Sequence, residues 1–416
     1  MEQWINFEQS LNQRLNREDL DEQQNKAKNF SLKGHSLVRG VAGSGKSLVL
    51  RNRLGTLIDG GYKDILVLCY NRFMNGWIDS IIAQKGLSSN VESRTFHSWA
   101  YRIGYTYEWD KNPEMRGKII DLVQNNAKER YQAILIDEAQ DFYDEWFVAM
   151  LGAVSPDTNS IFFVYDNTQS VYDGQQHRRK GKWTWKDLGF KIAGGSSQIL
   201  DLNYRNAPEI IELAWQFIYP YLASANMKIA KRSEAGGKIG HIVEPVKKSS
   251  RSSSIKPMLV SDMSPHNIAK QVKLALSSHP DSSIGVLLHP QEPKSFKLEI
   301  SECLQKLSVN HHAPMHSQDR GHNVVNRPLV IVDSWNALKG VELDAVIIAG
   351  VDRVEDLPDP DEDFQEKAGL YTAITRARDH VVMLYQDETQ VVQQLQNILT
   401  APDVLESDSM VNAQVA

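Results

Sequence analysis

Cysteine is nearly absent. Cys69 and Cys303 are the only two in 416 residues, too few for a disulfide framework or a cysteine-built zinc cluster, and in keeping with a reducing, cytoplasmic setting. No apolar run approaches the roughly 18 residues that a membrane span needs. Residues 1–11 mix acidic and polar side chains with Trp4 and Phe7, not the basic-then-apolar order of a secretory signal. Charge of one sign is missing too: 46 Lys plus Arg against 52 Asp plus Glu give a net charge of −6. No global basic field therefore advertises nucleic acid, and any such contact has to be a local groove. No fixed-period repeat is present.

What is there is an ordinary globular composition, 41% hydrophobic and 24% charged, at a length that suits two to four domains. Apolar stretches of the buried parallel-strand kind fall at 36–38, 65–69, 133–136, 161–165, 285–288, 329–332, 345–349 and 381–384, with helical patterns between them. That alternation predicts an α/β fold with parallel sheets flanked by helices. The serine-rich basic stretch 246–257 reads as a surface connection within the second half. Residues 401–416 read as a flexible tail.

Gly40-Val41-Ala42-Gly43-Ser44-Gly45-Lys46-Ser47 fits G-x-x-x-x-G-K-[ST], between a strand pattern and a helix pattern, the context the motif requires. The glycines let backbone N–H groups turn toward phosphates, and the helix N-terminus favours their charge. Lys46 is placed to reach the β and γ phosphates, and Ser47 to ligate magnesium. Downstream, Ile134-Leu135-Ile136-Asp137-Glu138 ends an apolar strand with two acids. Asp137 is the candidate to hold Mg2+ through its coordination shell, and Glu138 the candidate to orient or deprotonate an attacking water. A helix N-terminus exploiting its dipole is the bland alternative for two such acids.

With these motifs in place, the chain resembles the UvrD/Rep type of superfamily 1 helicases across nearly its whole length. The likeness runs in order through Leu20-Asp21-Glu22-Gln23-Gln24, the phosphate loop, Leu68-Cys69-Tyr70-Asn71-Arg72, Thr95-Phe96-His97-Ser98 and Asp137 to Asp141. It continues through Asp166 to Tyr172, Asn203-Tyr204-Arg205, Lys339-Gly340-Val341-Glu342 and Tyr371 to Arg378. The resemblance implies two RecA-like lobes, 1–200 and 201–400, with ATP and Mg2+ between them and single-stranded DNA across their top. It implies that Gln24 reads adenine, Tyr204 stacks on it and Glu342 touches the ribose, with Gly43, Ser44, Gly45, Lys46 and Ser47 around the phosphates. Gln169 would sense the γ phosphate, and Arg205 and Arg376 would clamp it, Arg378 being the weaker candidate. Tyr70, Asn71, Arg72, Thr95, His97 and Tyr172 would contact the strand.

Departures from the family pattern are equally specific. Tyr165 replaces a glycine, Gly174 stands where a base-stacking tryptophan is expected, and Ser334 and Asn336 replace a threonine and a histidine. Trp183 and Trp185, or Tyr70 and Tyr172, are the alternative stacking groups, with a core role open for the tryptophans. The accessory insertions of larger relatives shrink to a short helical element near 101–130 and to almost nothing after Arg205. His311, His312, His316 and His322 lack the ordered spacing of a metal site, and no spare carboxylate cluster suggests a fused nuclease. The expected activity is an ATP-driven translocase or helicase on single-stranded DNA, 3' to 5' by resemblance. Its rivals are a nucleotide-controlled switch that recruits a separate nuclease or effector, and an RNA motor.

Overall fold

The computed structural model describes residues 20–126, 130–171, 176–179, 183–225, 227, 229–230, 242–246, 256–278, 282–321 and 330–401. The first half runs α1 (Glu22–Lys28), β1 (His35–Gly40), α2 (Lys46–Asp59), β2 (Ile65–Cys69), α3 (Arg72–Gln84), β3 (Val91–Thr95), α4 (Phe96–Arg102), α5 (Pro113–Asn125), β4 (Ala133–Ile136), α6 (Asp144–Ala153), β5 (Ser160–Tyr165) and β6 (Ile192–Leu200). The second half continues α7 (Pro208–Ser224), β7 (Ile229–Ala230), β8 (Ile242–Val243), β9 (Met258–Ser261), α8 (Pro265–Ser278), β10 (Ile284–Leu288), α9 (Lys294–Lys306), β11 (Val330–Ser334), β12 (Leu343–Ala349), α10 (Pro360–Ile374), β13 (Ala377–Tyr385) and α11 (Gln390–Thr400). Among the described residues no helix is long and apolar enough to cross a membrane.

Two parallel sheets result, in the order β3-β2-β4-β5-β1-β6 and β11-β10-β12-β13-β9, while β7 and β8 form a separate pair. This is the α/β architecture expected from the apolar runs. Parallel strands covered on both faces have no solvent side, so β2, β4, β5, β10 and β12 are buried at every position. The first sheet lies between one cluster around Phe96, Trp99, Trp146 and Phe147 and another around Leu50, Leu54, Ile78 and Ile82. Two further clusters cover the faces of the second sheet.

The Tyr165 departure is a packing feature. Its hydroxyl accepts from Trp185 Nε1 at 3.2 Å, and the Trp185 ring sits 4.4 Å from Phe163 and 4.9 Å from Phe147. Trp185 is thereby a core residue. Trp183, half-buried, meets it edge-on at 4.8 Å.

One buried group in this core sets an acid limit. His35 opens β1 at 8% exposure with its ring 5.0 Å from Phe190, and its Nδ1 is buried without a hydrogen-bond partner. Burial lowers its pKa from 6.5 to about 4. The folded protein therefore holds His35 neutral where the unfolded chain would charge it. The associated stability is complete above pH 6.5 and drains away as pH falls toward 4. His35→Phe is expected to remove on the order of 1–2 kcal/mol of the stability difference between neutral pH and pH 5. Thermal midpoints of both proteins at the two pH values check this; an equal fall in both would refute it.

Candidate functional site

Parallel sheets gather their loops at the carboxyl ends of the strands, where open α/β folds bind ligands. The phosphate loop leaves β1 there and enters α2. Gly43 and Gly45 adopt φ values of +69° and +81°, the left-handed region that glycine enters without steric cost. Side chains are excluded at both for a second reason. A Cβ on Gly43 would meet Arg205 Cβ at 2.7 Å, and one on Gly45 would meet Gln24 Nε2 at 2.6 Å. Lys46 Nζ donates back to the carbonyls of Gly40 and Val41 at 2.9 and 2.8 Å and lies 3.7 Å from Asp166. Burial lowers its pKa, although Asp166 and Glu138 act the other way.

Gln24 is fixed before any base arrives. Its Nε2 donates to Ser44 O at 2.9 Å, while its Oε1 accepts from Asp21 N at 3.0 Å within the capping box of α1. The Tyr204 hydroxyl donates to Asp21 Oδ2, and Tyr204 N donates to Gly43 O at 2.9 Å. The two candidate adenine contacts, far apart in sequence, thus share Asp21.

The acids after β4 form a relay. Asp137 is buried, its Oδ1 accepts from Glu138 N at 2.9 Å and the Ser47 hydroxyl bonds to its carboxylate, but Oδ2 has no hydrogen-bond partner. Burial, and then Glu138 beside it, push Asp137 up to about 7. A hydroxyl and an orphaned carboxylate oxygen are hard donors that fit magnesium, which keeps several waters and takes one or two protein ligands. Glu138 takes φ +51°, a conformation that costs a non-glycine residue roughly 1–2 kcal/mol. Burial opposes its ionisation, but Lys339, Lys46 and Arg376 outweigh that and hold it below the ordinary glutamate value. Its Oε2 accepts from Gln140 Nε2 at 2.5 Å, and Gln140 Oε1 accepts from Asp166 N at 3.0 Å. Asp166 Oδ2 in turn accepts from Gln169 Nε2 at 2.6 Å.

The second sheet's half completes the cluster. Arg376, 1% exposed, donates through Nη2 to Gln169 Oε1 and through Nε to Thr372 O at 3.1 Å. Among the described residues it ion-pairs with no carboxylate, and burial, then the nearby Arg205 charge, lower its pKa to about 10. Arg205 Nη2 donates to Glu342 Oε1 at 2.6 Å, so the residue expected at the ribose neutralises one of the expected fingers here. Arg378 lies 3.9 Å from Asp344.

Three groups that single motifs do not assign hold the halves together. Lys339 Nζ donates to both Asp141 oxygens and to Gln169 O, all at 2.6 Å and fully buried. Asn203 Nδ2 donates to Ala42 O at 2.8 Å and to Asn206 Oδ1 at 2.7 Å, and Asn206 Nδ2 reaches Thr375 O at 2.9 Å. This chain links the phosphate loop to the turn that carries Arg376. Membership of the ordered segments was the only sequence signal for Lys339 and Asn203, and Asn206 lies one position beyond such a segment; their partners lie up to 198 positions away.

The candidate strand contacts cluster on the same crest. Asn71 and Thr95 cap α3 and α4, accepting from Met74 N at 2.8 Å and Ser98 N at 3.2 Å, and Asn71 Nδ2 also donates to Lys339 O. Arg72 Nη1 lies 3.5 Å from Ser317 O. Tyr70 is half-buried, stacked 6.4 Å from Trp146 and edge-on to His97 at 6.1 Å. Tyr172, Gly174 and His322 lie outside the described residues. In the histidine-rich stretch, His311 uses Nε2 on Ser301 Oγ at 2.6 Å and Nδ1 on Val309 O at 2.9 Å.

Residues 23–175 match the family described as AAA domain. Comparison with curated proteins gives no match. Among solved structures, the chain is similar to the C-terminal domain of a possible DNA helicase from Lactobacillus plantarum WCFS1, at 13% identity and a TM-score of 0.30, covering 47% of this chain and 96% of that one. The matched stretch runs from within α1 to just beyond β5 and includes the glycine-rich loop between β1 and α2.

Proposed function

We propose that this protein is an ATP-dependent motor on single-stranded DNA, a translocase or helicase of the superfamily 1 kind moving 3' to 5', whose two lobes, 1–200 and 201–400, close on each ATP. The observation that carries the reading is Arg376. Arg376 is a buried guanidinium with no carboxylate in direct ion-pairing contact, Glu138, Glu342 and Asp166 acting on it from further away, so its fork is available to an anion that enters the site. Lys46 from one half and Arg376 from the other both act on Glu138, so a γ phosphate beside Glu138 would meet a cation from each half. Magnesium held by Ser47 and Asp137 would neutralise charge on the β and γ oxygens when bound. Glu138, ionised, accepts a proton from the attacking water. Gln169, bonded to Asp166 on one side and Arg376 on the other, couples the occupied phosphate site to the second half.

The polarity and the preference for DNA rest on the resemblance of the ordered segments, and the crest formed by Tyr70, Asn71, Thr95 and His97 supports a strand lying across the carboxyl ends of the first sheet. The test is steady-state ATP hydrolysis with single-stranded DNA, single-stranded RNA, duplex DNA and no nucleic acid. Multiple turnovers stimulated by single-stranded DNA, with a stimulating affinity that falls steeply as salt rises, are expected. Equal or greater stimulation by RNA would make it an RNA motor. A single slow turnover unaffected by any nucleic acid would make it a nucleotide-controlled switch.

A further inference from the structure

The short segment between β3 and β4, the remnant of a larger insertion, carries the most exposed large aromatics among the described residues. Tyr101 on α4 is 77% exposed, and Tyr107, which opens the turn Tyr107–Lys111, is 63% exposed. Tyr101 follows His97 by four residues on one helix face. The Tyr107 ring sits 5.1 Å from His97, edge to face.

The turn beneath Tyr107 is pinned. Asp110, 8% exposed, takes His97 Nε2 on Oδ2 at 2.6 Å and the Tyr105 hydroxyl on Oδ1 at 2.7 Å. Arg116 Nη1 donates to Asp110 O at 2.6 Å while its guanidinium lies 4.2 Å over Tyr143 of the opposite wall. Exposing a large ring gains a monomer nothing, and anchoring it on a rigid turn removes the ordering entropy that a partner would otherwise have to supply.

We propose that Tyr107 is a base-stacking platform for single-stranded nucleic acid, built on this segment in place of the tryptophan that Gly174 replaces. The inference rests on the proposed function and adds a contact that none of the ordered segments contains. A base is the occupant that fits. The ring adjoins the His97 imidazole, which itself meets Tyr70 edge-on on the crest shared with Asn71 and Thr95. Lys111 in the same turn, 76% exposed at its side chain, makes only a loose 4.0 Å pair with the equally exposed Glu108, a surface contact weak enough for an adjoining phosphate to compete with. Aromatic stacking next to a basic group is how sequence-tolerant single-strand binders hold successive bases.

The experiment uses the full chain and a set of single-stranded DNA oligonucleotides carrying 2-aminopurine at successive positions. Binding is followed by anisotropy and stacking by quenching of the analogue. Wild type is expected to quench at one register; Tyr107→Ala should lose that quenching and bind about five- to a hundred-fold more weakly. Tyr107→Trp should keep both. If wild type binds the strand and Tyr107→Ala matches it in affinity and quenching, the platform is overturned while the proposed function stands. If wild type binds no single strand at all, both fall together.

Discussion

Arg376→Ala is expected to lower ATP turnover by about 10³ to 10⁵, the range in which arginine fingers act, while ATP affinity falls far less. The reason is positional. Arg376 reaches the site only through the turn before β13, and its guanidinium already faces Gln169 of the first half. The phosphate loop, Lys46 and the Gln24–Ser44 contact belong to the first half and survive the change. Arg376→Lys keeps the charge but loses the planar fork, so it should recover only a small part of the loss. Arg205→Ala should act in the same direction, and the double mutant should cost much less than the product of the two, as groups working in one unit do. Single-turnover rates together with titration of a fluorescent ATP analogue decide the matter. Normal hydrolysis in Arg376→Ala would remove it from the site. A loss confined to binding would make it an affinity contact.

Glu138→Gln is expected to bind ATP as wild type does and to turn over about two or more orders of magnitude more slowly. Its carboxylate is held ionised by three cations, Lys339, Lys46 and Arg376, two of which come from the second half. The second half thus contributes to the charge that Glu138 carries in this arrangement. Glutamine keeps the volume and can still meet Gln140, so the fold is preserved and the missing proton acceptor is what is measured. A variant retaining near wild-type turnover in a steady-state assay would identify another base. A variant trapped with ATP would also show whether the closed halves bind single strands more tightly or more weakly than the nucleotide-free protein.

Most of the strands recoverable from sequence have no face to solvent, the edge strand β11, read from the run 329–332, being an exception. β2, β4, β5, β10 and β12 read as unbroken apolar runs because helices cover both sides. β3 and β6 carry no such run, and β9 only the short Met258-Leu259-Val260. Each lies at a sheet edge and is partly exposed, as in Val-Glu-Ser-Arg-Thr of β3 and the Gly-Gly-Ser-Ser within β6, so the burial that writes a strand into sequence is lacking. The phosphate loop was legible because backbone conformation, helix N-terminus and ligand contact fall within eight consecutive residues. Asp137 and Glu138 were legible for the same local reason.

The sequence by itself thus determined the α/β class and placed the G-x-x-x-x-G-K-S loop between a strand and a helix, since both depend on periodicity or on neighbours along the chain. Tertiary structure alone decided that Glu342 pairs with Arg205, that Lys339 is buried on Asp141, that Trp185 packs under Tyr165, and that Asp110 braces His97 beneath an exposed Tyr107. The first two depend on which side chains meet after the chain has crossed from one sheet to the other, with partners 137 and 198 positions apart; the last two join residues 20 and 13 positions apart within the first half, spacings set by how loops fold back and not by a helix or strand period. Hydrogen bonds and buried charges select partners by geometry and desolvation, and no local pattern records a partner more than a hundred residues away.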